Sequence, residues 1–179
     1  MKIAVFCGSS NPKNRKYLDD AKLLGRRIAK SGHTLVYGGS NLGMMGAVSG
    51  AALECGGTVI GVIPTLFSEE IIMSQPVTEL VRVSSMAERK EYIIRKSDAF
   101  VALPGGIGTL DEVLEVLVAN QLKQIKKTIA LYNPDGFYDS FLEQIKQMGA
   151  NGFFRSGAEP EIINCKEIND CVDGLYLTQ

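Results

Sequence analysis

Short apolar runs alternate along this chain with stretches whose apolar residues recur every three or four positions. The runs fall at 3–7, 34–37, 58–63, 80–83, 99–103 and 128–131, and most are apolar in succession rather than at every second position. A strand of that kind is covered on both faces. The covering elements are legible in the same way: at 17–30, Leu18, Ala21, Leu24 and Ile28 share one helical face, and Gly32 supplies a stop. Further helical stretches are expected at 43–55, 87–96, 109–122 and 137–148, with a short strand at 161–163 and a short helix in the tail. Strand–helix alternation predicts parallel strands joined by right-handed crossovers. The chain therefore reads as α/β, a doubly wound parallel sheet with helices on both faces.

Composition narrows the function. The 179 residues suit a single Rossmann-like domain, 1–179, with no linker or repeat. Basic and acidic side chains number 19 and 20, so neither nucleic acid nor a membrane surface is an expected partner. The apolar run at 3–7 is followed at once by polar residues and reads as a first strand, not a leader. No run approaches the ~20 apolar residues of a membrane span, and the expected location is cytoplasmic. Cys7, Cys55, Cys165 and Cys171 form no C-x-x-C pair, which argues against a metal centre and for reduced, packed thiols; Cys7 stands at a strand end beside the first loop. The lone histidine, His33, follows Gly32 at a helix-to-strand junction. That is the wrong end of the sheet for chemistry, which removes Ser-His-Asp and Cys-His catalysis.

Open parallel sheets bind ligands beyond the carboxyl ends of their strands. Three loops stand there. The first is Gly8-Ser9-Ser10, with two hydroxyls and backbone N–H groups as anion donors. The second spans 38–46 and includes Gly38, Gly39, Ser40 and Gly43; its four glycines let backbone approach a ligand, and the helix behind it aims its positive end at the loop. The third, Leu103-Pro104-Gly105-Gly106-Ile107-Gly108-Thr109, is a second phosphate cradle on the same edge. Neither the P-loop nor the dinucleotide fingerprint is present, which ranks a dehydrogenase last. Thr109 and Glu112 have the spacing of a capping box, and the same carboxylate stands one helical turn from the phosphate loop; the two roles are compatible. Arg89, in the charged run Met86-Ala87-Glu88-Arg89-Lys90, has a planar fork suited to phosphate or a purine acceptor.

These segments resemble the LOG (lonely guy) family of cytokinin-activating phosphoribohydrolases, long described as lysine-decarboxylase-like. Residues 104–112 match the family's PGGxGTxxE motif at every fixed position. Residues 38–46 resemble its GGGxxGLMG segment, with Ser40 and Met44 departing from it. Gly8-Ser9-Ser10 resembles its first loop, residues 61–64 resemble its third-strand ending, and Met86 with Arg89-Lys90 resembles its MxxRK helix, with Ala87 where histidine is common. The resemblance covers roughly residues 1–149. It implies a homodimer that hydrolyses N6-modified adenosine 5′-monophosphates to free base and ribose 5-phosphate, with Arg89 and Glu112 as catalytic pair and no cofactor or metal. It implies substrate contacts from Gly8, Ser9, Ser10, Gly38, Gly39, Gly43, Met86, Lys90, Gly105, Gly106, Gly108 and Thr109.

Glu112 suits the chemistry, because breaking an N-glycosidic bond builds positive charge on the ribose and a carboxylate stabilises it and activates water. Asp111 is the second carboxylate in line. A pocket for the N6 group is expected around Met44, Met45 and the irregular segment 64–79. Pyridoxal chemistry needs a Schiff-base lysine, and none lies within or directly beside the three glycine loops. The rival class is a non-catalytic nucleotide or molybdenum-cofactor carrier of similar fold, which would release no base.

Overall fold

The computed structural model describes residues 1–67, 77–155 and 157–176. Among them are seven strands: β1 (Lys2–Phe6), β2 (Thr34–Tyr37), β3 (Thr58–Pro64), β4 (Glu79–Val83), β5 (Ala99–Ala102), β6 (Ile129–Tyr132) and β7 (Ile163–Cys165). All neighbours pair in parallel, in the order β4-β3-β2-β1-β5-β6-β7. The chain builds outward from β1 to β4, then crosses back to lay β5 on the other side of β1. Loops leaving β1 and β5 thus diverge, and the crevice between them is where ligands bind in open α/β sheets.

Six α-helices among the described residues cover the sheet: α1 (Lys16–Lys30), α2 (Gly43–Glu54), α3 (Met86–Lys96), α4 (Ile107–Gln121), α5 (Asp139–Ala150) and α6 (Ile168–Gly174). Successive strand residues point to opposite faces, and the two cores follow that alternation. Ile3, Val5, Leu35, Tyr37 and Val101 pack with α1, α2 and α6. Ala4, Phe6, Val36, Phe100 and Leu131 pack with α3, α4 and α5. The continuous apolar runs are the strands this two-sided burial requires. No helix among the described residues is long and apolar enough to cross a membrane.

Element ends differ from the sequence expectation for identifiable reasons. β3 runs on to Pro64 because β4 pairs with it there, Pro64 opposite Val83. The fifth helix starts at Asp139, not 137, since Asn133 organises the preceding turn: its Oδ1 accepts the Tyr138 N–H at 2.7 Å and its Nδ2 donates to Asp139 Oδ1 at 2.7 Å. The tail strand lies at Ile163–Cys165, two residues later than expected, in register with β6. His33 sits at the amino end of the sheet, its ring between the Met1 amino group and the Tyr176 hydroxyl. Residues 68–76 of the irregular segment lie outside the described residues.

Candidate active site

A cavity of about 430 Å³ opens at the carboxyl ends of β1, β2, β3 and β5, at the switch point. Arg89 of α3 and Glu112 of α4 meet in its wall. Arg89 Nη1 donates to Glu112 Oε1 at 2.8 Å, and both residues are only 5% exposed. Arg89 Nε donates to the Val62 carbonyl at 3.1 Å, so its fork is fixed by β3 on one side and α4 on the other. Gly38 makes room for it: a Cβ there would fall 1.8 Å from Arg89 Nη2. Burial pushes the Glu112 carboxyl above its ordinary value, while the Arg89 charge and hydrogen bond pull it back. Burial also drives the Cys7 thiol upward, reinforced by the nearby Glu112. Cys7 therefore lines the cavity as an inert thiol rather than a nucleophile.

The capping box expected at Thr109 and Glu112 does not form. The double glycine lets α4 begin two residues earlier, with Gly106 as its cap and Ile107 as its first residue. Thr109 is then already inside the helix. Its side chain folds over Gly105, where a Cβ would lie 2.1 Å from Oγ1, and Glu112 is released to meet Arg89. The capping pattern is instead at α3: Ser85 Oγ accepts the Glu88 N–H at 3.1 Å, and Glu88 accepts from the Ser84 N–H and hydroxyl at 2.7 and 2.6 Å. Those two bonds hold Glu88 below the usual carboxylate range.

The sequence-selected residues divide into two groups. Gly8, Ser9, Ser10, Gly38, Met86, Gly106, Gly108, Thr109, Arg89 and Glu112 all line the cavity. Gly39, Gly43, Gly105 and Lys90 do not. Gly43 has φ +56 and lies so close to the Ser9 and Ser10 carbonyls that a Cβ would approach them to 2.5 Å; it joins the first loop to the second. Gly39, with φ +78, packs on Val62 and Ile63, and Lys90 pairs with Asp111 and Glu115. The second loop spends donors on the protein itself: the Met44 N–H bonds to the Gly8 carbonyl of the first loop at 3.1 Å and the Leu42 N–H to Ser40 Oγ at 3.1 Å. In the third loop the Thr109 N–H turns back to the Gly106 carbonyl at 3.1 Å, while the Ile107 and Gly108 N–H groups, first in the helix, have no carbonyl ahead of them. A Cβ at Gly106 or Gly108 would meet nothing within 4 Å.

Ser40, Leu42 and Ile63, not selected as site residues from the sequence, also line the cavity, as does Phe67 from the segment 64–79 expected beside the N6 group. Leu42, half exposed at a helix cap, carried a signal in being apolar at such a position. Of the two methionines considered for an N6 pocket, Met45 lines the cavity and Met44 is buried in the core. Asp111 also reaches the cavity.

Fold and site together define an α/β protein with a switch-point ligand cavity, glycine-rich loops and a buried guanidinium–carboxylate pair. Residues 45–175 match the family described as "Possible lysine decarboxylase". The cytokinin riboside 5′-monophosphate phosphoribohydrolase LOG of Oryza sativa subsp. japonica is 43% identical over 171 residues, spanning 96% of this chain and 71% of that one. The enzyme of that name LOG4 from Arabidopsis thaliana is 41% identical, spanning 97% and 81%. The chain belongs to the LOG family of cytokinin riboside 5′-monophosphate phosphoribohydrolases. Among solved structures, a molybdenum cofactor carrier protein from Chlamydomonas reinhardtii superposes with TM-score 0.72 over 99% of this chain and 96% of that one at 24% identity, a likeness of fold alone.

Proposed function

We propose that this protein hydrolyses the N-glycosidic bond of adenosine 5′-monophosphates, N6-modified ones in particular, to free base and ribose 5-phosphate. The observation that carries the reading is the buried Arg89–Glu112 pair in the wall of the switch-point cavity. The relatives named phosphoribohydrolases support it.

The residues divide the work by chemistry. The 5′-phosphate takes the first turn of α4, where the Ile107 and Gly108 N–H groups and the helix dipole favour an anion, aided by Thr109, Ser9 and Ser10. The ribose then lies toward Glu112. As the C1′–N bond breaks, its electron pair leaves on the base and positive charge builds on the sugar. The ionised Glu112 stabilises that charge, orients a water toward C1′ and takes its proton. Arg89 holds the carboxylate in place with one N–H. Leu42, Met45, Ile63, Phe67 and Met86 form an apolar wall suited to a purine with an apolar N6 substituent.

We further propose a homodimer formed through α4. Ile107, Leu114, Val118 and Leu122 follow one another at helical spacing and are all exposed. Four unpaired cysteines fit a reducing, cytoplasmic setting. Chromatography of an AMP incubation tests the function. Equal amounts of adenine and ribose 5-phosphate are expected; nucleotide retained on the protein with no free base would indicate a carrier.

A further inference from the structure

Two adjacent residues of α3 face two adjacent residues of α4. Arg89 meets Glu112, and beside it Lys90 Nζ donates to Asp111 Oδ2 at 3.0 Å. One turn further along α4, Glu115 Oε2 lies 2.6 Å from the same Nζ. Lys90 is outside the cavity lining and its side chain is largely covered, with both neighbours of its ammonium group carboxylates. The backbones of α3 and α4 make little direct contact, so side chains crossing the gap fix how the two helices sit. Arg89 is useful only at one position, within hydrogen-bond reach of both Val62 and Glu112.

We propose that Lys90 is a positioning residue rather than a substrate ligand: it fastens α3 to α4 through Asp111 and Glu115 and thereby holds Arg89 against Glu112. This rests on the reading of Arg89 and Glu112 as the catalytic pair. The charged and titratable groups facing Glu112 are Arg89 and Lys90 from α3, Cys7 just past β1 and Asp111 on its own helix. Lys90 favours its ionised form and Asp111 opposes it.

The experiment follows Glu112 by carboxyl-¹³C NMR titration of the free protein, with Glu112→Gln to assign the signal, and base release from AMP in parallel. Lys90→Met is expected to raise the Glu112 titration and to lower kcat about 10-fold or more, as small misplacements of reacting groups do. Its KM should stay within about threefold of wild type, since uniform binding is untouched. Lys90→Arg, which keeps charge and reach, restores both. Asp111→Asn leaves Lys90 anchored on Glu115 and should move the Glu112 titration down, opposite to Lys90→Met; general loosening would move both the same way. An unchanged titration in Lys90→Met, or a raised KM at full kcat, overturns the proposal. A wild type that releases no base counts against the phosphoribohydrolase reading, whereas an unchanged Glu112 titration in Lys90→Met counts against the role of Lys90 itself.

Discussion

Replacing Gly38 with alanine puts a methyl group where Arg89 lies. The added Cβ would fall 1.8 Å from Nη2, 2.9 Å from Cζ and 3.0 Å from Met45 Sδ. The guanidinium must retreat by about 1.6 Å to reach ordinary contact. It is held by bonds of 2.8 Å to Glu112 and 3.1 Å to Val62, and a shift of that size breaks at least one. Forcing a buried ion pair apart costs roughly 3–5 kcal/mol, and displacing a group that orients the reacting carboxylate costs on the order of 10²-fold in rate. Urea unfolding and base release read these effects separately. Gly38→Ala should lower the unfolding midpoint and cut kcat by about 10²-fold. A Gly38→Ala protein with wild-type midpoint and wild-type kcat would show that Arg89 does not depend on this position, and the account of the pair would be wrong.

Other expectations follow from the same contacts. Glu112 must be ionised to act, and burial raises its carboxyl above the ordinary 4.5, so the acid limb of base release should lie above that value; a pH–rate profile checks it. The folded state holds this proton more tightly than the unfolded chain does. The stabilising contribution of Glu112 is therefore fully present below 4.5 and is lost as pH rises through the raised value, a dependence that Glu112→Gln should remove from pH-resolved melts. Tyr138→Phe removes the 2.6 Å bond from the buried hydroxyl to the Leu103 carbonyl. That leaves a buried acceptor without its partner, a loss of about 1–3 kcal/mol readable by denaturant titration. Leu114→Glu with Val118→Glu places charge on the exposed α4 stripe and should convert the proposed dimer to monomer in light scattering, with base release falling only if the partner completes the site.

How much of this was legible in the sequence depended on range. The run Thr34–Tyr37 was located to the residue, because burial on both faces leaves an unbroken apolar signature and Gly38 ends it. The three glycine loops could be put on one edge by topology alone, since every parallel strand delivers its following loop there. The partners of the charged side chains could not. Thr109-x-x-Glu112 satisfied a local rule, yet the helix starts at Ile107 and Glu112 answers to Arg89, 23 positions away. A local pattern cannot weigh a distant partner that only the packing of α3 against the sheet supplies. Lys90 illustrates the same limit: adjacent to Arg89 in sequence, it faces Asp111 and Glu115 instead of the cavity. The glycine pattern alone points Gly43 and Gly105 at a ligand, but close approach to Ser9, Ser10 and Thr109 explains why a side chain is excluded at each.

The central claim is that Glu112, paired with Arg89, carries the hydrolysis. The most direct measurement is base release from AMP and from isopentenyladenosine 5′-monophosphate by wild type and Glu112→Gln, followed by chromatography. Glutamine can still accept the Arg89 hydrogen bond, so the pair's geometry survives while the negative charge is lost. Wild type should release base, and the variant should lose that activity by ~10²-fold or more. Equal turnover by the two proteins, or no base from either nucleotide with wild type, would contradict the account.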